Sequence, residues 1–299
     1  MPCVSQGSAE VRTAGDALAL VVPLLKVAAP DPEGRAGPRP VLVVSDFDGT
    51  LAELDLDPWA ARILPLARRS LRRLATLDGV RVVLLSGRTA ADLAGRVRVG
   101  GARYLGNHGL ERGDLARGAP AERLRLAGSA AGPADGSVAR ALADGVPRLV
   151  PEAWLIVEPK LPAVAFHFRG APDVPAARLR VREAVERLDP QELLVRHQGL
   201  RVLELRPPGA TGKGEAMRGL IDELRPRVAF MLGDDRNDAR AFQTLRAARA
   251  AGELDGLAIA VAAHADVLPD VAPHADLLLA SPVEAARFLS GLARLLEAQ

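Results

Sequence analysis

The chain has 299 residues, of which 48% are hydrophobic and 25% charged, a composition typical of a globular protein with one or two domains. Its basic residues are spread along the chain, its net charge is +2 and only 3% of its residues are aromatic, so we expect no nucleic-acid partner. A single cysteine, Cys3, excludes an internal disulfide and a multi-cysteine zinc site. No segment approaches the ~18 consecutive apolar residues of a membrane span, so we expect a cytoplasmic protein without a membrane partner.

The order of the predicted elements indicates an α/β fold. Residues 1–39 are interpreted as an N-terminal extension with one short helix and a linker rich in proline and glycine. The chain then alternates strands and helices: a strand from Val41, a helix at 58–77, a strand at 80–85, a helix at 89–97 and a strand at 102–105. This alternation favours a parallel sheet with right-handed crossovers.

The alternation stops after residue 112 and resumes near residue 208. The part between them is predicted to contain a loop at 113–137, strands at 153–158, 163–168, 192–197 and 200–206, and a helix at 173–188. After it we predict helices at 211–224, 236–249 and 282–297, and strands at 227–232, 257–261 and 276–279. The pattern therefore predicts a Rossmann-like core with a mostly parallel sheet (40–112 and 208–299) and an inserted α+β cap domain (113–207).

Two carboxylates follow the first strand of this core. Asp46 and Asp48 are two residues apart, so their side chains project to the same side, and Gly49 permits a sharp departure from the strand. The simplest alternative is a solvated turn, since Asp, Gly and Thr all favour turns. Two carboxylates this close repel each other unless a divalent cation joins them or one of them holds a proton.

Three further polar clusters follow predicted core strands: Ser86-Gly87-Arg88, Asn107-His108, and the acidic run from Asp234 to Asp238. Taken singly, Ser86 is explained by a helix cap, and the acidic run by a solvated helix N-terminus. Taken together they favour one site, because the carboxyl ends of parallel strands meet at one edge of the sheet. Such carboxylates suit a hard cation with oxygen ligands, and we predict Mg²⁺ held by Asp46, Asp48, Asp234 and Asp238.

Lysine is rare in this chain, which has 39 basic residues but only three lysines: Lys26, Lys160 and Lys213. Lys213 lies at the start of a predicted helix, where an ammonium group and the helix terminus both favour an anion. The alternative is an ordinary exposed lysine. We interpret Lys213 as a phosphate-binding residue.

The segment from Asp46 to Leu51 resembles the nucleophile motif of the haloacid-dehalogenase-like (HAD) phosphohydrolases, and the other three clusters resemble the remaining motifs of that superfamily. The resemblance implies Mg²⁺-dependent phosphoryl transfer in which Asp46 is phosphorylated and Asp48 is the general acid and base. The catalytic residues would then be Asp46, Asp48, Ser86 and Lys213, with Ser86 and Lys213 stabilising the charge on the transferred group.

The insert resembles that of the trehalose-6-phosphate phosphatase family. The similar segments are Glu158-Pro159-Lys160, Ala165 to Arg169, Gly199 to Pro207, and Asn107 to Glu111 in the core. The resemblance implies hydrolysis of trehalose 6-phosphate, a sugar phosphate, to trehalose and phosphate in trehalose biosynthesis. It also implies that Glu158, Lys160, Arg169 and Glu204 bind the sugar.

Several of these assignments have a structural alternative. The insert residues are also explained by cross-strand ion pairs on a surface. Arg88 and Asn107 are candidate substrate-binding residues; the alternative is that both only support the loops in which they lie. His167 is interpreted as structural. Asn237 stands where the family has threonine before the last aspartate, which leaves the conformation of that loop open.

Three other functions remain open at this stage. The nearest is another sugar-phosphate phosphatase of the HAD superfamily, acting on sucrose phosphate or mannosylglycerate phosphate. A signalling receiver module also phosphorylates an aspartate at a strand end, but it needs neither Asp48 nor an insert. The third is a catalytically silent sugar-phosphate sensor. The presence of all the candidate catalytic and metal-binding residues argues against it: Asp46, Asp48, Asp234 and Lys213. The sequence identifies no protein partner.

Overall fold

The strand that precedes Asp46 lies in the middle of a large sheet in the computed structural model of this chain. The structure describes residues 11–26, 39–55, 57, 59–127, 135–199, 201–210, 212–263 and 268–299. In this part of the chain the strands are β1 (Val11–Arg12), β2 (Val41–Ser45), β3 (Val80–Leu85), β4 (Arg103–Gly106), β5 (Glu111–Asp114), β6 (Arg125–Ala127), β7 (Ile156–Lys160), β8 (Ala163–His167), β9 (Val195–Gln198), β10 (Val202–Arg206), β11 (Val228–Gly233), β12 (Asp255–Val261) and β13 (Leu277–Leu279). The α-helices are α1 (Ala14–Lys26), α2 (Pro65–Thr76), α3 (Ala90–Val97), α4 (Asp135–Leu149), α5 (Val174–Leu188), α6 (Lys213–Leu224), α7 (Arg236–Ala250), α8 (Leu268–Val271) and α9 (Pro282–Glu297).

Nine strands form the core sheet, in the order β1-β13-β12-β11-β2-β3-β4-β5-β6. In this spatial order, each strand from β1 across to β4 is parallel to its neighbours. Strands β5 and β6 follow at the edge beyond β4, where the pairs β4–β5 and β5–β6 are antiparallel. Strand β2 is buried along its whole length, and its alternate residues enter different cores. Val41 and Val43 pack in the cluster that includes α1, α2, α3 and α9, whereas Leu42 and Val44 pack in the cluster that includes α6 and α7. The predicted α/β class with a mostly parallel sheet is confirmed.

The four central strands β11, β2, β3 and β4 end at the same edge of this sheet, because they are parallel neighbours. The residues that follow them are Asp234, Asp46, Ser86 and Asn107. After β2 the chain continues into β3, its neighbour on one side, and returns much later to form β11, its neighbour on the other side. The order in which strands are added to the sheet thus reverses at β2. Ligands of open α/β sheets bind at such a reversal of strand order.

Described residues from 135 to 210 form a second compact unit, separate from the unit that contains the core sheet. It has one antiparallel sheet in the order β7-β8-β10-β9. One face of that sheet contributes Val164, Phe166, Leu203 and Leu205 to a hydrophobic core with α4 and α5. Period-two alternation therefore leaves the other face to Glu158, Lys160, Ala165, His167, Glu204 and Arg206.

Some predicted elements differ from the structure. The segment 113–137, interpreted as a loop, contains β6, the last residues of β5 and the start of α4. Its strands are short and lack a run of β-branched residues, so the pattern gave them no signal. The helix predicted from residue 58 begins at Pro65, where proline occupies the first turn. The predicted domain boundaries at 112/113 and 207/208 stay predictions.

The N-terminal segment contributes to the core sheet. Strand β1 pairs with β13, and α1 buries Ala14, Ala17, Val21 and Leu25 at helical spacing. The Glu284 carboxylate on α9 accepts a hydrogen bond from the Ala14 N–H at 2.8 Å, which satisfies a donor at the start of α1. Residues 1–10 and 27–38 of the predicted extension, and positions 58, 200 and 211, lie outside the described residues.

Among the described helices, none combines the length and the apolar character that crossing a membrane requires.

We predict that Gly256→Ala destabilises the core. Gly256 has φ +152°, and a Cβ atom there would lie 1.9 Å from the carbonyl oxygen of Ala229 on β11, a backbone atom that cannot turn aside. Strain and overpacking together should lower the free energy of unfolding by at least about 2 kcal/mol, measured by urea denaturation. The matched control is Gly219→Ala in the middle of α6, where a Cβ meets nothing within 4 Å. That change should stabilise the protein by about 0.5–1 kcal/mol; equal effects of the two substitutions would contradict the prediction.

Candidate active site

A buried ion triad lies at the carboxyl edge of the core sheet. The Lys213 ammonium, on the first residue of α6, lies 2.8 Å from Asp46 Oδ1 and 2.9 Å from Asp238 Oδ1. The three residues are no more than 4% exposed. Lys213 is therefore not an ordinary surface lysine, since it joins the end of β2 to the start of α7.

Asp234 lies against the turn that follows β2. The Thr50 hydroxyl donates to Asp234 Oδ1 at 3.2 Å. Gly49 has φ +77°, and a Cβ atom on it would lie 2.2 Å from Asp234 Oδ2. Glycine at this position thus permits both the left-handed turn and the close approach of the carboxylate.

The loop between β11 and α7 is fixed by reciprocal capping. Asp235 caps α7 by accepting from the N–H groups of Asn237 and Asp238, and Asp238 Oδ2 accepts from the N–H groups of Asp234 and Asp235 at 3.2 Å. The Asn237 amide also donates to Asp235 Oδ2 at 3.3 Å. Asparagine in place of the expected threonine therefore keeps a local hydrogen bond in this loop.

Burial and mutual repulsion set the charges of this cluster. Burial raises the pKa of Asp46 to about 6, opposed by Lys213 and assisted by Asp235 and Asp48. Burial and the Asp46 charge also raise the pKa of Asp234. Burial acts to lower the pKa of Lys213, but Asp238 and Asp46 outweigh it and raise that pKa well above its usual value. One permanent positive charge thus lies among carboxylates that repel each other.

Asp46, Asp234 and Asp238 each offer an oxygen within 4.8 Å of the other two. Three carboxylates and no nitrogen or sulfur ligand are the donor set of a hard divalent cation, and an added positive charge would offset their repulsion. These residues therefore fit Mg²⁺. The side chain of Asp48, also predicted as a ligand, is not in this group.

Asp48 is paired with Arg88. The guanidinium donates to both carboxylate oxygens at 2.7 Å, stacks over the Phe47 ring at 5.4 Å and pairs with Asp92 at 3.0 Å. The Arg88 side chain is 5% exposed, whereas the Asp48 side chain is 29% exposed. The structure thus places Arg88 against Asp48, an arrangement that supports a buttress more than a substrate contact.

Ser86 and Asn107 lie on the loops after the neighbouring strands β3 and β4, and these loops are joined by backbone hydrogen bonds. The Ser86 hydroxyl accepts from the Arg88 N–H at 3.2 Å, and the cap of α3 is Thr89. Asn107 donates to Glu111 at 2.6 Å, and Glu111 accepts from the Ala90 N–H at 2.7 Å. Both residues hold the loops at this edge, and their predicted contacts with substrate stay predictions.

The insert has its own polar cluster. On one face of its sheet the Lys160 ammonium lies 3.4 Å from Glu158 Oε2 and 3.5 Å from Glu204 Oε1, and the three residues are 5–8% exposed. Arg169, predicted with them, follows β8 and is half-buried. The structure thus brings together Glu158, Lys160 and Glu204.

Some residues of these clusters were not predicted. Asp235 could have been found, because an aspartate just before a helix is a typical N-cap. Arg206 follows Glu204 by two residues on a strand, which puts both on one face, and it pairs with that glutamate. Glu111 lies in the segment Asn107 to Glu111 that resembles the family, but its bond to the Ala90 N–H, 21 residues away, depends on the fold and gave no local signal.

The fold of this chain is similar to the folds of several solved structures. The structure of a haloacid dehalogenase-like hydrolase from Bacteroides thetaiotaomicron matches 87% of this chain and 99% of its own, with a TM-score of 0.53 and 18% identity. A higher TM-score, 0.72 at 20% identity, relates 96% of this chain to 99% of the C-terminal domain of trehalose-6-phosphate phosphatase from C. albicans. At these identities the likeness establishes the fold.

The family follows from the sequence. Residues 44–267 match the family model described as trehalose-phosphatase, so the chain belongs to the trehalose-phosphatase family, a family of phosphoric monoester hydrolases. The trehalose-phosphate phosphatase of Mycobacterium avium is 36% identical over 273 residues, which are 89% of this chain. They are 65% of that relative, so this chain spans just under two thirds of its length.

We predict that Lys213→Met lowers the free energy of unfolding by about 3–5 kcal/mol, because it leaves Asp46 and Asp238 buried without their cation. Urea denaturation at neutral pH measures this. Lys26→Met, at the exposed end of α1, is the control and should change stability by no more than about 0.5 kcal/mol. Equal stability of the two variants would show that Lys213 does not neutralise this cluster.

Proposed function

We propose that this chain is a Mg²⁺-dependent phosphatase that hydrolyses trehalose 6-phosphate to trehalose and phosphate through an aspartyl-phosphate intermediate. The single observation that supports it most is Lys213 held between Asp46 and Asp238, with Asp234 alongside, at the carboxyl edge of the sheet. Membership of the trehalose-phosphatase family supports the substrate. Because the mycobacterial relative is longer, its activity is transferred here as a proposal.

The nucleophile is Asp46. One of its oxygens attacks phosphorus, the bond from phosphorus to the sugar oxygen breaks, and that oxygen takes a proton to give trehalose. Water then attacks the phosphorus of the aspartyl phosphate, loses a proton, and releases phosphate with Asp46 restored. Dividing the reaction in two suits a substrate whose uncatalysed hydrolysis is among the slowest known.

Lys213 keeps the nucleophile ionised and in place. Its ammonium contacts Asp46 Oδ1, so the other oxygen is the one oriented for attack. The same charge lies beside the group that is transferred and stabilises its oxygens. Mg²⁺ held by Asp46, Asp234 and Asp238 would supply further positive charge for the phosphate. Ser86 is proposed to donate to a phosphate oxygen.

Asp48 is the proposed general acid and base. In the structure Arg88 donates to both of its oxygens, so a proton on either oxygen displaces one of these hydrogen bonds. Both oxygens act as acceptors here, which is the arrangement from which the second half-reaction begins, before Asp48 takes a proton from water. For the first half-reaction the Asp48 side chain must rotate away from Arg88, which its partial exposure permits.

The polar face of the insert is proposed to bind the sugar. Carboxylates accept hydrogen bonds from hydroxyl groups and a lysine donates to them, and Glu158, Lys160 and Glu204 place both kinds of group together. Arg169 is proposed to assist on the same unit. Arg88 and Asn107 remain candidates for substrate contact, although their observed partners are protein groups.

Phosphate release from trehalose 6-phosphate tests this proposal. We expect turnover with Mg²⁺, loss of activity with a chelator and recovery when Mg²⁺ is added in excess. Asp46→Asn should lower kcat by on the order of 10³-fold or more, because the nucleophile is lost. Mass spectrometry must exclude deamidation of the new asparagine to aspartate.

The matched control is Asp222→Asn, the same change on a side chain of α6 that is 65% exposed, and it should keep wild-type activity. Normal turnover by Asp46→Asn would overturn the mechanism. Faster turnover of sucrose phosphate or mannosylglycerate phosphate than of trehalose 6-phosphate would overturn the substrate while leaving the chemistry.

A further inference from the structure

The two glutamates of the insert lie in one row across its sheet. Glu158 on β7 and Glu204 on β10 are both paired with Ala165 of β8, which lies between them. Directly paired residues project to the same face, so the two carboxylates flank a methyl group. The Lys160 ammonium contacts both of them. This face therefore presents two hydrogen-bond acceptors, Glu158 and Glu204, on either side of the small Ala165 side chain, with the Lys160 ammonium as a donor beside them.

Each glutamate has a second partner that nothing in the proposed chemistry requires. Arg206, 2% exposed, pairs with Glu204 Oε2. His167 Nε2 lies 2.8 Å from Glu158 Oε2, which is nearer than the Lys160 ammonium at 3.4 Å. His167 is thus the closer of these two partners of the Glu158 carboxylate.

His167 acts here as a neutral donor. A carboxylate only accepts, so Nε2 carries the hydrogen of this bond. Nδ1 is buried and, within the part of the chain that the structure describes, has no hydrogen-bond partner, so a proton on it would be an unsatisfied buried donor. Burial lowers the pKa of His167, opposed by Glu158 and assisted by Lys160. The imidazole can therefore orient Glu158 without adding a charge to the face.

A purely packing role explains this histidine poorly. His167 is paired across the sheet with Ile156 on one side and Val202 on the other, so an apolar residue would suit its position. Burying an imidazole there carries a desolvation cost that the bond to Glu158 offsets. The residue type is explained by its contact with that carboxylate.

We propose that His167 is a positioning residue that fixes the Glu158 carboxylate for hydrogen bonds to the hydroxyl groups of the sugar. The inference rests on the proposed function and adds to it a residue that acts through Glu158 and does not itself touch substrate. Without the bond, Glu158 would retain Lys160, which is shared with Glu204, and its orientation would be less defined.

Two similar substitutions separate positioning from packing. His167→Gln places an amide nitrogen near the position of Nε2, whereas His167→Asn is one methylene shorter and cannot reach Glu158. Both are polar and smaller than histidine. We expect His167→Asn to raise KM for trehalose 6-phosphate about tenfold, the effect of one charge-assisted hydrogen bond, with kcat changed less than about twofold. His167→Gln should keep a KM near that of wild type.

The double variant His167→Asn/Glu158→Gln completes the test. If His167 acts through Glu158, its substitution should raise KM no further once Glu158 is changed. Arg182→Gln, on the exposed face of α5, is the control for the insert and should leave KM unchanged. Circular dichroism and thermal melting check that each variant folds.

The inference would be overturned by equal KM values for His167→Asn and His167→Gln, or by additive effects in the double variant. In either case, turnover by the wild-type protein would leave the proposed function intact. If the wild-type protein releases no phosphate from trehalose 6-phosphate, the proposed function fails first, and the inference fails with it.

Discussion

The buried ammonium of Lys213 is the contact on which the arrangement of the core depends. Through Asp46 and Asp238 it joins the end of β2 to α6 and α7, which lie near the other end of the chain. Without it those carboxylates would have to take up protons or leave the interior. With it, Asp46, the proposed nucleophile, can stay ionised in a buried position.

The loops around this contact are held by a second layer of polar bonds. Asp235 and Asp238 cap α7 reciprocally, and Asn107 reaches α3 through Glu111. Such bonds to backbone groups leave few alternative conformations for loops that would otherwise be mobile. Pre-organised charges of this kind need little rearrangement when a charged group arrives.

The sequence predicted most of the core, because β-branched runs that end in carboxylates mark the carboxyl edge of a parallel sheet. Asp46, Asp234 and Asp238 were predicted to share one site for that reason, whereas Lys213 was predicted from the rarity of lysine and its position at the start of a helix. The sequence could not predict that Arg88 pairs with Asp48, since a guanidinium reaches many positions and the fold selects one. The short strands β5 and β6 were missed because their pairing with β4 depends on the tertiary structure and not on local pattern. His167 was interpreted as structural because alternation shows which face a residue occupies but not which atom it contacts.

Strand β1 also affects how the protein behaves in a crowded solution. It pairs with β13 and covers a row of backbone groups that would otherwise be open to a strand of another molecule. Only two residues long, it is itself a poor template for such pairing. Pairing with β1 should therefore disfavour edge-to-edge association at this side of the core sheet, an effect independent of the chemistry at its carboxyl edge.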